Sequence, residues 1–279
     1  MTFRASVKLA MLLLAAILVL TLGGVPLIGE WSLELGTLVF LATAVVIAFD
    51  HERRHFSAMR QLTEGLAALR EERDDTTRQL EGIVYLYGRL QPELPLPPFN
   101  KATIKPDFAE RLAGEVLSRE APVIVELGSG ISTAIVGLCL KKAGAGRMLS
   151  FDHESKYAGL TRDMLAQQRV SDFAQVTHAA LKVQRIGDRD WSWYDIDVSS
   201  LPLIDVLLVD GPPRDTQALA RYPALPLLYD KLKPGAMIYL DDGRRSDEQE
   251  IARRWQAEYP GIELVPFPTQ SGVIAFRKP

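Results

Sequence analysis

One cysteine is present in 279 residues, Cys139, so no internal disulfide and no thiolate-built metal cage can form; a reducing compartment is compatible with that count. Positive charge is not in excess either. Lys and Arg total 32 against 35 Asp and Glu, a formal net charge of -3, and without a basic field nucleic acid is not expected as a partner. The composition of a disordered chain is also missing: 47% of residues are hydrophobic and 24% charged, which suits one α/β domain with accessory segments. No internal repeat is evident.

Charge is absent altogether between Lys8 and Glu30, where Leu9 to Leu22 is nearly all Leu, Ala, Ile and Val. That run matches the roughly 20 apolar residues that span a bilayer core. A Gly/Pro-containing turn (Gly23, Gly24, Pro26, Gly29) and a second apolar run, Leu35 to Phe49, follow. Together they predict a transmembrane helical hairpin over 1–50. Arg4 and Lys8 before it, and Arg53 and Arg54 after it, predict an inner-membrane, multi-pass protein with its catalytic domain cytoplasmic. A cleaved signal peptide is the competing expectation, although it leaves the second run unexplained.

Over 51–90 the positions Met59, Leu62, Leu66, Leu69, Arg73, Thr76, Leu80, Ile83, Tyr87 and Leu90 alternate three and four apart. Two expectations follow, a coiled coil that makes a homo-oligomer and a single amphipathic helix docked on the catalytic domain. The proline-rich stretch 91–105 cannot continue a helix and predicts a linker. From Pro106 to the C-terminus, helical periodicity alternates with apolar strand-like runs: 123–127, Met148 to Phe151, Ala174 to His178, Ile204 to Val209 and Ala236 to Leu240. The last two runs, Ile262 to Phe267 and Gly272 to Phe276, are too close together for a crossover and should pair antiparallel. The fold class is therefore α/β, a mainly parallel sheet ending in an antiparallel hairpin.

The chemistry centres on Val123-Ile124-Val125-Glu126-Leu127-Gly128-Ser129-Gly130-Ile131-Ser132-Thr133. A strand stops at a carboxylate and enters a glycine-rich turn that opens a helix. Gly128 and Gly130 let a ligand approach the main chain, while Ser129, Ser132 and Thr133 supply hydroxyls near free amides. Asp152, 22 residues beyond Gly130, ends the second strand, where an acid accepts hydrogen bonds from ribose hydroxyls; His153 adjoins it. A pyrophosphate binder usually shows a third glycine where Thr133 stands. Glu126 is likewise awkward for a pyrophosphate and suits a cofactor with a positive amino group.

Glu126-x-Gly128-x-Gly130, Asp152, Leu208-Val209-Asp210-Gly211-Pro212-Pro213 and Lys233-Pro234-Gly235 together resemble the class I S-adenosylmethionine-dependent methyltransferases, in particular the bacterial group with E-x-G-x-G-x-S-T and V-D-G-P-P. The resemblance covers 106–279. It implies a seven-stranded Rossmann-like sheet with an antiparallel last strand, S-adenosylmethionine as cofactor, Glu126, Gly128 and Gly130 at its methionyl end, and Asp152 at its ribose. In place of a polar adenine contact, the third strand is followed by Ala179-Ala180-Leu181.

Asp210 ends the fourth strand and is the expected catalytic, acceptor-side residue; Asp241 and Asp242 end the fifth. Three carboxylates at one sheet edge resemble the metal site of catechol-type O-methyltransferases, which implies Mg²⁺ or Ca²⁺ on Asp210, Asp241 and Asp242, with substrate orientation or helix capping as the alternative. Arg214, Arg221, Arg244 and Arg245 are candidates to grip an acidic acceptor, against ordinary surface ion pairs. Trp191, Trp193 and Tyr194 are candidates to wall the acceptor pocket, against packing of the sheet edge. His153, also a candidate cofactor contact, and His178 are candidate bases, against structural hydrogen bonds beside the strand ends, and Cys139 is expected to sit in the core. The resulting expectation is a membrane-anchored methyltransferase acting on an oxygen of a small, lipid-linked or saccharide-linked acceptor. An NAD-dependent oxidoreductase and a non-catalytic, membrane-tethered scaffold are the alternatives.

Overall fold

The structure, a computed structural model, describes residues 31–100 and 103–279. The first apolar run and the turn after it lie outside these residues. The chain divides into two units, Met1–Arg73 and Asp74–Pro279.

In the first unit the described residues form the start of α1 (Trp31–Leu90), a helix of 60 residues that continues into the second unit. The apolar segment from Gly36 to Phe49 does not end the helix. It runs unbroken into His51-Glu52-Arg53-Arg54, carried by ion pairs such as Arg54–Asp50 at 2.9 Å. Among the described residues no helix is long and apolar enough to cross a membrane. This overturns the expected multi-pass inner-membrane placement: the apolar segment falls short of the roughly 20 residues a span requires, and charged residues end it. Met59, Leu62, Leu66 and Leu69, the expected heptad positions, are each more than half exposed.

In the second unit the end of α1 is docked rather than free. Leu86 and Leu90 are buried in the core, and Gly82 lies so near the start of α2 (Pro106–Leu117) that a Cβ there would sit 2.7 Å from the Pro106 carbonyl oxygen. The proline-rich segment also packs. Leu96 and Ile104 are buried, and Gln168 bonds the Leu94 carbonyl oxygen over 2.7 Å.

The sheet is built from β1 (Val123–Leu127), β2 (Arg147–Asp152), β3 (Ala174–His178), β6 (Ile204–Val209), β7 (Leu232–Leu240), β8 (Glu263–Val265) and β9 (Ile274–Arg277). Its order is β3-β2-β1-β6-β7-β9-β8, parallel except for β9, which runs antiparallel to both its neighbours. The expected closing hairpin is present, with β9 inserted beside β7. β7 begins earlier than expected: Lys233-Pro234-Gly235 falls inside it, where the register against β6 jumps from Ile204↔Leu232 to Val206↔Met237. Such a bulge lets a proline sit in a strand.

Helices α2, α3 (Ile131–Ala143) and α4 (Ser155–Gln167) bury one face, with Ile124, Ile135 and Met148 in that core. α5 (Ala224–Leu228), α6 (Ser246–Glu258) and a separate two-stranded hairpin, β4 (Leu181–Ile186) with β5 (Arg189–Tyr194), cover the other around Leu127, Leu207 and Trp255. Alternation along β1 sends Ile124 and Glu126 to the α3 side and Val125 and Leu127 to the opposite side. Cys139 is fully buried on α3, where burial pushes its thiol up to about 12, so it is core.

Candidate active site

The connections leave β1 for β2 on one side and β6 for β7 on the other, so a crevice opens where the carboxyl ends of β1 and β6 meet. Gly128 and the Asp210-Gly211 peptide cross there. Gly128 has φ +94°, a region side chains disfavour, and an added Cβ would meet the Asp210 carbonyl carbon and the Gly211 nitrogen, each at 3.2 Å. The crevice is a cleft of about 450 Å³ lined by Gly128, Ser129, Asp152, His153, Asp210, Asp241 and Asp242 among the expected residues. Glu126 and Ser132 lie beneath it, along a small void shared with Asp210 and Asp241.

Glu126 is only 1% exposed, and its charge is met by hydroxyls. Its Oε2 accepts from Thr133 Oγ1 over 2.5 Å and from Ser150 Oγ over 2.6 Å, with Ser132 as a further donor. Burial nonetheless outweighs those bonds and raises its pKa to about 7. Thr133 also accepts from the Gly130 amide at 3.0 Å. Its hydroxyl is therefore spent on the acid and the turn, and Thr133 positions Glu126 instead of meeting a ligand directly.

The acid at the end of β2 is similarly built in. Asp152 Oδ2 accepts from the Ser129 amide at 3.0 Å and from Ser129 Oγ at 2.7 Å, while Oδ1 accepts from the Glu154 amide at 2.9 Å. Thr161 of α4 backs Ser129 at 3.0 Å. The Asp152 carboxylate thus ties the glycine loop to the neighbouring strand end. Glu154, whose side chain is half exposed in the same cleft, is a second acid here; its place two residues past the strand end hid it among ordinary surface charges. The imidazole of His178 meets the His153 carbonyl oxygen at 3.2 Å, a structural contact, and His153 lies edge-on to Tyr194.

Asp210, Asp241 and Asp242 do converge, but on a cation of the protein's own. Arg221, 4% exposed, donates through Nη2 to Asp210 Oδ1 at 3.1 Å and Asp242 Oδ2 at 3.0 Å, and through Nη1 to the Asp241 carbonyl oxygen at 2.9 Å. Glu248 lies 3.7 Å from the same guanidinium, and Arg245 pairs with Asp242 at 2.7 Å. Among the described residues no group of three or more His, Cys, Asp or Glu side chains is disposed to hold a metal ion. The expected Mg²⁺ or Ca²⁺ site on Asp210, Asp241 and Asp242 is corrected on this ground: the Asp210 and Asp242 carboxylates are paired with Arg221, and Asp241 Oδ1 accepts from the Asp242 amide at 2.7 Å. Burial pushes the Asp210 pKa well above the usual carboxylate range, with Asp241 and Asp242 adding to the rise and Arg221 opposing it.

Of the other arginines, Arg214 and Arg245 line the cleft and Arg244 is exposed. Nothing in the sequence separates Arg221 from these, because its distinction is burial. Trp191 and Trp193 are buried in the hairpin; Trp191 stacks on Tyr222 at 4.7 Å and does not reach the cleft.

Compared with models of known protein families, residues 125–243 match one described as a methyltransferase domain. No curated protein sequence matches the chain. Among solved structures the chain is similar to the SAH-bound O-methyltransferase from Bacillus cereus, at 15% identity over 72% of this chain and 91% of that one with a TM-score of 0.47. It is also similar to SAH-bound PaMTH1 of Podospora anserina, at 13% identity over 72% and 88% with a TM-score of 0.49. A third is the O-methyltransferase TomG of Streptomyces achromogenes in complex with SAM, at 16% identity over 72% and 87% with a TM-score of 0.44. These are likenesses, and the fold stands on the strand order of this chain. The matched span 125–243 runs from β1 to the turn after β7 and contains Glu126, Asp152, Asp210 and Arg221. The part of the chain that builds the crevice is thus the part that matches a methyltransferase domain.

Proposed function

We propose that the chain is an S-adenosylmethionine-dependent methyltransferase that acts on an oxygen nucleophile of a small, lipid-linked or saccharide-linked acceptor, with Asp210 as the group that takes the acceptor's proton. The observation that carries this is the Asp210 carboxylate at the crevice: Arg221 holds Oδ1 at 3.1 Å, which leaves Oδ2 to accept.

The residues present fit the cofactor. Gly128 leaves a backbone cradle that a side chain would fill, and the buried Glu126 offers a negative charge beneath the loop for an ammonium group. The amides at the start of α3 suit a carboxylate. Asp152 and Glu154 are acids for ribose hydroxyls. Bound there, S-adenosylmethionine supplies a methyl group on a positively charged sulfur. The transfer forms an oxygen–carbon bond and breaks the carbon–sulfur bond, and the hydroxyl proton passes to Asp210 Oδ2. Its raised pKa makes ionised Asp210 a stronger base, and Arg221 fixes its orientation. Most of the rate comes from holding the two reactants in line.

The test is incubation of the full chain with methyl-labelled S-adenosylmethionine and total cell extract. Label is expected in a non-protein, non-nucleic-acid fraction, with transfer reduced about 100-fold in Asp210→Asn. Undiminished transfer by that variant overturns the role of Asp210, and label on nitrogen overturns the oxygen acceptor.

A further inference from the structure

Tyr194 closes the β4–β5 hairpin, outside the seven-stranded sheet, yet its side chain reaches the crossing of the two loops that define the cleft. A Cβ added to Gly211 would overlap its hydroxyl, and the same hypothetical Cβ lies 3.2 Å from the Gly128 Cα. The residue is 0% exposed, and its hydroxyl has no hydrogen-bond partner among the described residues. Asp152, Arg221, Asp210 and Glu126 all act on it electrostatically, and burial pushes its pKa well above the ordinary value of 10.0, so it keeps its proton. A buried hydroxyl left without a partner costs about 1–3 kcal/mol, and native structures seldom keep one without a reason.

The hairpin that carries it is held firmly. Gln217, in the loop after β6, accepts from the Ser192 amide at 3.0 Å and donates to the Ser192 carbonyl oxygen at 2.8 Å. Trp191 stacks on Tyr222, directly after Arg221. The phenol is therefore locked over the Gly128–Gly211 crossing, with one donor and two lone pairs unspent.

We propose that the Tyr194 hydroxyl is a direct hydrogen-bonding contact to bound S-adenosylmethionine, supplied by the hairpin and not by the sheet. The proposal rests on the cleft being the cofactor site. That makes the hairpin part of the cofactor pocket, and the contact satisfies a hydroxyl that no described residue meets.

Calorimetric titration of the full chain with S-adenosylmethionine, wild type against Tyr194→Phe, tests it. The phenylalanine keeps the ring and removes only the unmatched oxygen, so the unliganded variant should unfold at the wild-type temperature or slightly above it. Its Kd should rise about five- to twentyfold, the loss expected of one hydrogen bond. Equal Kd values for the two proteins overturn the proposal and leave a water as the hydroxyl's partner. Failure of the wild type to bind at all overturns the cofactor reading of the cleft instead. A measurement independent of the variant uses wild-type protein with ¹³C at the tyrosine Cζ: one buried tyrosine resonance should move on addition of S-adenosylmethionine, and no movement overturns the contact.

Discussion

The Thr133 hydroxyl donates to Glu126 Oε2 over 2.5 Å, so the residue that stands where dinucleotide-binding loops place a third glycine is the one that steadies the buried acid. Thr133→Val keeps the shape and removes that donor. A hydrogen bond to a charged group contributes about 1.5–3 kcal/mol, and the variant should lose about that much stability. The loss should be greater at pH 8, where Glu126 is ionised, than at pH 5, where it is protonated. Urea unfolding at the two values checks both the size and the sign.

Glu126 also gives the unliganded protein a pH dependence. Its folded pKa of about 7 lies above the ordinary value of 4.5. The stabilising contribution is therefore fully present below pH 4.5 and lost as pH rises through 7. Over that window the difference amounts to about 3 kcal/mol. Asp210, Asp241 and Glu248 are shifted in the same direction, chiefly by burial. Thermal unfolding without ligand should show stability falling from pH 5.5 to 8, and Glu126→Gln should flatten the slope.

Arg221 is the cation around which the acidic edge is assembled. Arg221→Met leaves Asp210, Asp242 and Glu248 without the guanidinium they share, with Arg245 still paired to Asp242, and removing one partner of a buried charge cluster costs about 3–5 kcal/mol. A fall of that size in chemical denaturation is expected. Wild-type unfolding, in contrast, should be unmoved by EDTA or by millimolar Mg²⁺, since the Asp210 and Asp242 carboxylates are already paired with Arg221.

Gly128→Ala combines an unfavourable φ of +94° with a Cβ at 3.2 Å from the next strand's backbone. A cost of about 1–3 kcal/mol is expected, together with weaker S-adenosylmethionine binding as the crevice is forced apart. Gly144→Ala, also at positive φ but with open space around it, controls for the backbone term alone and should bind normally.

The central strand Ile204–Val209, buried at all but one position, lies where its uninterrupted apolar run predicts it, and the edge strand Ala174–His178, buried only at Ala174 and Val176, also lies where expected. The β4–β5 hairpin escaped because in Leu181–Ile186 the alternation of Leu181 and Val183 with Lys182 and Gln184 breaks off at Arg185, and no position of the strand is buried. Leu35 to Phe49 carries an apolar signal that the eye assigns to lipid, whereas the helix simply runs on through Asp50. At the site, Glu126, Asp152 and Asp210 were visible because each follows an apolar strand. The roles of Thr133, Arg221 and Tyr194 depend on which atoms are left over once the chain folds, and spacing does not encode that.

The most direct measurement is a titration of wild type and Glu126→Gln with S-adenosylmethionine at pH 8. Wild type should bind with a micromolar Kd and show no comparable affinity for NAD, while Glu126→Gln, which keeps the side-chain volume and loses the charge, should bind at least about tenfold more weakly. Equal affinity in the two proteins, or a wild-type preference for NAD, would contradict a methyl-donor pocket organised around Glu126.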